Sequence, residues 1–350
     1  MSYISNREPD FRYLEKVFFR ETTDRPVLFD YAVDMKHFEQ LTGAALPKGA
    51  DGLTRLKKVI DGHKMAGYDY AISMASSFAF RSAEQSHALS QSISLNENPL
   101  ITDTESFERF IWPEPENYNY EKFVKIKDYL PDGMKLISDT PCGVLENLMD
   151  LVGYDNLCIM LYEDPELVQL ITDNVGQRLY NYCKIVLQMD TVGGIFLGDD
   201  WGFNTATFLS PQDLRKYIFP WHKRIVDLAH EYHKYCILHS CGYFGDIIED
   251  VIGIGYDARH SYEDTIIPVE KAYERYGSRI AILGGMDVDF MCREKPETIA
   301  SRCQKMLERT AGQGGYALGT GNSVPNYIPF ENYLALLRTV CLEYNYHWQK

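Results

Sequence analysis

The sequence predicts an α/β protein folded as a (β/α)8 TIM barrel, with an N-terminal helical extension over residues 1–25 and an insertion after the second strand. Three observations carry this. Eight short β-rich runs recur along the chain, and longer stretches with helical spacing separate most of them. The turn after the first run, FDYAVDMKHF, also lacks the glycines that would bind phosphate in a doubly wound open sheet. A prior of ~150 residues per domain suggests two domains, but α/β barrels of this size commonly form one, so residues 1–350 are read as a single barrel domain.

In chain order the runs are 26–31 (PVLFDY), 68–74 (YDYAISM), 135–140 (KLISDT), 194–200 (GIFLGDD), 235–240 (YCILHS), 256–261 (YDARHS), 281–287 (AILGGMD) and 316–321 (YALGTG). The connecting stretches carry helix-start chemistry. Ser210 can cap a helix that begins at Pro211 with Asp213 in its first turn; Leu214, Tyr217, Ile218, Trp221, Ile225 and Leu228 then recur at three- and four-residue steps. Asp164 before Pro165 and Glu166 starts another, and Pro296 with Glu297 a third. Residues 76–129 exceed what one helix needs and are read as a lid-like insertion over the barrel mouth, carrying the aromatic stretch IWPEPENYNY at 111–120.

Thirty-five basic against fifty acidic residues leave a formal charge of −15, with no run of Lys or Arg to neutralise phosphates, so nucleic acid is excluded as a partner. With 45% hydrophobic and 24% charged residues the chain is too apolar to be disordered. The N-terminus offers no apolar signal core, and the longest weakly polar stretch, 70–80, falls short of the ~20 residues that cross a bilayer. The expected location is therefore the cytoplasm, without membrane attachment. Eight scattered cysteines are read as reduced thiols, most of them small core residues. A homodimer is compatible with the sequence but not required by it.

In a parallel barrel the active site lies at the C-terminal ends of the strands. The polar residues ending each run should converge there: Asp30 and Tyr31, Ser73, Asp139 with Cys142, Asp199 and Asp200, His239 and Cys241, His260 with Glu263, Asp287, and Asn322. The bland alternative is that barrel mouths are simply polar. His239-Ser240-Cys241-Gly242 is the sharpest element, because residues two apart on a strand face one side and both can reach one cation, for which zinc is the natural candidate. Its competing reading is a hydrogen-bonded core histidine beside an inert thiol.

The stretches HSCG, GDIIEDVIGIGYDARH, RIAILGGMDVDF and GGYALGTGNSVPNYIP, together with residues 198–234, resemble the uroporphyrinogen decarboxylase superfamily over roughly residues 135–345. The resemblance implies a (β/α)8 barrel. True uroporphyrinogen decarboxylases hold an anionic tetrapyrrole with an arginine-rich N-terminal segment, whereas here Arg25 precedes the first strand with no second arginine close after it. The other branch, the cobamide-dependent methyltransferases, holds zinc by a His-X-Cys element plus a distant cysteine. His239 and Cys241 match the first part; Asn322 and Ser323 stand where the distant cysteine would fall.

The resemblance thus implies a zinc-dependent methyltransferase moving a methyl group from a small methoxylated donor to the corrinoid cobalt of a separate partner protein. Glu263, Asp199, Asp200, Asp287, His260 and Cys142 all stand at strand ends and could replace the missing cysteine, with Glu263 or His260 the leading candidate, as the strand bearing them neighbours that of His239. Asp199, Asp200 and Asp30 are the candidate catalytic carboxylates, with one of Asp199 and Asp200 expected in the site and the other in a structural contact. Tyr31, Ser73, Asp139, Trp112 and Asn322 are candidate substrate contacts. A metal-independent decarboxylase or lyase and a non-catalytic binding protein on the same barrel are the alternatives.

Overall fold

In the computed structural model, which describes residues 7–81, 96 and 98–343, seven parallel strands pair in sequence order. They are β1 (Tyr70–Met74), β2 (Lys135–Asp139), β3 (Val192–Gly198), β4 (Tyr235–His239), β5 (Ala258–His260), β6 (Ala281–Leu283) and β7 (Tyr316–Ala317). The first predicted run is not a full strand. It makes one parallel bridge, Leu28 to Leu318, held by Phe29 N–H to Leu318 O and Leu318 N–H to Val27 O. On its other side the Tyr70 hydroxyl hydrogen-bonds the Asp30 backbone. A side chain supplies the bond that a strand ladder would otherwise make.

The sheet curls into a barrel-like form. A flat sheet would hold β1 and β5 ~19 Å apart, yet the Phe29 ring lies 5.0 Å from the Tyr70 ring of β1 and 5.6 Å from the His260 ring of β5. Phe196 of β3 completes this interior at 6.0 Å from Phe29. Helices wrap the outside, the longest being Pro165–Leu187, whose face of Val168, Ile171, Val175, Leu179 and Val186 is buried. Its start is capped as the sequence implies, with the Asp164 carboxylate accepting from Leu167 N–H. Ser210 likewise caps at Asp213 N–H, but the following turn, Leu214–Ile218, widens to a π-helix before Pro220, which has no N–H to offer the normal pattern.

Of the predicted 76–129 insertion, residues 82–95 and 97 lie outside the described residues; the remainder forms short helices at Thr104–Arg109, Pro115–Asn117 and Glu121–Lys125. No helix among the described residues is long and apolar enough to cross a membrane.

Candidate metal centre

Register brings the site together. Gly198 of β3, His239 of β4 and His260 of β5 are paired in one row, so the two imidazoles lie side by side, rings 5.0 Å apart. Both are buried, and desolvation drives them neutral: His239 falls well below its usual pKa and His260 to about 3. The Thr320 carbonyl can only accept, so His260 Nε2, 3.2 Å from it, carries the proton. The bare His260 Nδ1 then accepts from His239 Nδ1–H at 2.7 Å. This leaves His239 Nε2 with a free lone pair, 3.5 Å from Cys241 Sγ. The relay thus selects the tautomer that a metal ligand needs.

Two further contacts hold the thiol and a third holds its backbone. Ser261 Oγ lies 3.3 Å from Cys241 Sγ, Asn322 Nδ2 donates to it at 3.1 Å, and Cys241 N–H donates to Asp200 Oδ1 at 2.6 Å. The turn after the cysteine needs glycine: Gly242 has φ +85°, and a Cβ there would come within 1.9 Å of Gly202 O. Burial, with the Asp200 charge adding, pushes the Cys241 thiol up to about 12.

Among the described residues, Asp200, His239 and Cys241 form a group whose ligand atoms all lie within 4.8 Å of one another. The chemistry of the donor set fits zinc: a lone-pair imidazole nitrogen, a sulfur and a carboxylate oxygen would supply three protein ligands, the oxygen making the set harder than a two-thiolate one. A cavity of about 780 Å³ runs from Cys241 past Glu263, Asp287, Phe290, Asn322 and Tyr327.

The expected third ligands are not in this group. His260 has both nitrogens engaged and stands behind His239, and Glu263 lines the cavity instead. Neighbouring strands do bring His260 beside His239, but in-register pairing turns its ring onto that imidazole. Asp200 joins His239 and Cys241 because the loop after β3 brings its carboxylate to the Cys241 amide.

Asp199 points the other way. Fully buried, it accepts from Leu145 N–H, Glu146 N–H, Trp201 Nε1–H and His222 Nε2, so it caps the helix Val144–Val152 from outside and is not free for catalysis. Gly143 makes room for it, since a Cβ there would fall 2.2 Å from the Asp199 carboxyl carbon. Asp30 is also structural: it is fully buried, accepting from Tyr68 and from Thr320 N–H and Oγ1–H.

Tyr31 and Asp139 do meet. The Tyr31 hydroxyl donates to Asp139 Oδ2 at 3.2 Å, and its ring stacks on Phe196 at 4.5 Å, 5.0 Å from the His239 ring. Desolvation raises Asp139 to about 7 against the opposing Tyr31 bond. Ser73 lies on β1 with its hydroxyl on Met74 O, and Cys142 is exposed beyond β2 at φ +58°. Trp112 packs with Phe80, Phe107, Phe110 and the Arg178 guanidinium, apart from the metal group.

Sequence reasoning missed Glu146, whose carboxyl accepts from Asp200 and Gly143 N–H and is pushed up by burial, then by Asp199 and Asp200. The signal was an acid in the first helical turn after a strand-end Pro-Cys-Gly.

Asp30 makes a stability prediction. Burial raises it from 3.8 to about 6, so the folded state holds this proton more tightly than the unfolded state does. The resulting penalty is absent below about pH 4 and complete above about pH 6. Urea denaturation should show wild-type stability falling by about 3 kcal/mol relative to Asp30→Asn across that window. Parallel pH curves for the two proteins would contradict the assignment.

A curled, barrel-like parallel sheet with a His-X-Cys group at its strand ends defines an α/β protein whose polar residues converge at the face where such folds carry their sites. A family model for uroporphyrinogen decarboxylase (URO-D) matches residues 92–341, and the chain belongs to that family. Its curated relatives include uroporphyrinogen decarboxylase 2, chloroplastic, of Oryza sativa subsp. japonica, 28% identical over 176 residues, covering 49% of this chain and 42% of that protein. Uroporphyrinogen decarboxylase of Synechococcus sp. (strain CC9605) is 26% identical over 189 residues, 53% of this chain and 51% of that one. The chain spans about half the length of the curated relatives it matches. Among solved structures, a methyltransferase from Methanosarcina mazei superposes with a TM-score of 0.68 over 95% of this chain and 98% of that chain, at 16% identity, a likeness of fold.

Proposed function

We propose that this chain is a zinc-dependent methyltransferase that moves a methyl group from a small methoxylated donor, such as an aromatic ether, to the cobalt of a separate corrinoid protein. The observation that carries the reading is the Asp200–His239–Cys241 group at the barrel mouth. These three residues would hold the ion; when bound, zinc supplies a Lewis acid for the charge that develops on the ether oxygen as the carbon–oxygen bond breaks. Asp139, still half protonated near neutral pH and hydrogen-bonded by Tyr31, is a proton source for the departing oxygen. The partly buried Tyr31 ring, backed by Phe196 stacked on one of its faces, suits an apolar ring.

The names of the curated relatives favour a second reading, tetrapyrrole decarboxylation without metal. Against it stands the charge of the cavity, lined by Glu263, Asp264, Asp287, Asp289 and Glu294 with one cation, Arg293. Such a wall repels a polycarboxylate.

The test is elemental analysis of protein purified without chelator, followed by visible spectroscopy of reduced cobalamin mixed with a methoxylated phenol. Near-stoichiometric zinc and zinc-dependent formation of methylcobalamin are expected. Protein free of zinc, cobalt and iron, or carbon dioxide release from a tetrapyrrole by chelator-treated protein, would overturn the reading.

A further inference from the structure

Arg259 is a charged side chain where an aliphatic one is expected. It is 1% exposed, in the middle of β5, on the opposite face from the interior residue His260. It makes no direct ion pair among the described residues, Asp200 and Glu263 feeling its charge only at longer range and the Tyr262 phenol sharing a hydrogen bond with it, and its Nε is buried without a hydrogen-bond partner. Burying a guanidinium in this way is costly, so its remaining contacts should explain its presence. They are Nη1–H to Ser261 O at 2.6 Å and Nη2–H to Ser240 O at 2.9 Å, with the Phe244 ring 3.6 Å and the Tyr262 ring 4.9 Å from the guanidinium carbon.

Both carbonyls belong to the metal group's own turns. Ser240 is the residue between His239 and Cys241, and the hydroxyl of Ser261 touches Cys241 Sγ. The β4–β5 register ends at His239 and His260, with a long Ser240 N–H to His260 O bond of 3.4 Å as its last rung, so between the Ser240 and Ser261 carbonyls beyond it the Arg259 fork is the link that joins the two turns. Ser261, moreover, sits at φ +89°, a left-handed conformation that a non-glycine residue keeps only under constraint.

We propose that Arg259 is a positioning residue for the metal centre, its planar fork clamping the Ser240 and Ser261 carbonyls so that His239 and Cys241 present their donors together. A planar fork can bridge two fixed acceptors, whereas an ammonium is a point donor on a flexible stem. The aromatic faces of Phe244 and Tyr262 stabilise the cation and orient its plane. The proposal rests on the metal reading above.

The test compares full-length wild type, Arg259→Lys and Arg259→Met after metal removal. Co2+ affinity is measured by chelator competition, the Co2+ visible spectrum is recorded, and backbone hydrogen exchange is followed by mass spectrometry. Affinity should fall roughly 10–100-fold in both variants, the size of effect expected from an outer partner of a metal ligand. The sulfur-to-cobalt band should change, and peptides covering 239–244 and 260–263 should lose protection while those covering 296–310 keep it. Folded variants with wild-type affinity, spectrum and exchange would overturn the proposal. If Arg259→Met does not fold, Arg259→Lys, which keeps the charge on a single donor nitrogen and loses the planar fork, decides between these outcomes. If wild type itself takes up neither zinc nor Co2+, the metal reading fails; unchanged exchange at 239–244 in the variants would then overturn the clamp as well, and selective loss of protection there would uphold it.

Discussion

Replacing Cys241 with alanine should leave the protein folded and nearly devoid of zinc, with methyl transfer lost. The thiol is partly exposed at the cavity wall, so its removal opens no core void, but it takes one of three donors from the Asp200–His239–Cys241 group. The loss of affinity should exceed the roughly 10–100-fold expected for His260→Ala, which removes only the partner that sets the His239 tautomer. Glu263→Gln, in the cavity wall, should leave zinc content near wild type. Cys303→Ala is the control: that thiol is fully buried on the outer helix Pro296–Thr310, and its loss should cost some stability and no metal. Inductively coupled plasma analysis of the four variants beside wild type reads this directly. Equal zinc in Cys241→Ala and wild type would remove the site.

Asp199 and Asp200 should separate stability from function. Asp199→Ala leaves two helix N–H groups, the Trp201 indole and His222 without their acceptor in a fully buried place, and should destabilise the fold by about 3–5 kcal/mol in urea denaturation. Asp200→Asn keeps an oxygen for the Cys241 amide, so its stability should stay within about 1 kcal/mol of wild type while zinc retention falls. Similar midpoints for both variants would mean that the helix cap contributes little. Loss of zinc from a folded Asp199 variant alone would mean that the roles of the two carboxylates are reversed.

The division between these neighbours shows where sequence reading reaches its limit. Alternation along a strand predicts that adjacent side chains part, and they do. Which of them turns towards the cysteine depends on the path of the chain after Gly198, where β3 ends, and on the empty space at Gly143 that lets Asp199 reach across to another helix. Neither is a local property. The same holds for the expected third ligand. His260 is indeed beside His239, but in-register pairing faces the imidazoles to each other, so nearness produced a hydrogen bond instead of a shared ligand position. Asn322, named as standing where a cysteine was absent, does reach the Cys241 sulfur, as a hydrogen-bond donor.

Local chemistry in the chain determined the alternation of strands and helices, the caps at Asp164 and Ser210, and the His239–Cys241 pair, because each depends on residues within one turn or one strand of each other. Only the tertiary structure decided that the first run would be a single bridge tied by Tyr70, that Asp199 would cap a helix, that Asp200 would complete the group, and that Arg259 would lie beneath it. Those outcomes depend on register and on contacts between residues far apart in the chain, which the curl of the sheet brings within hydrogen-bond distance.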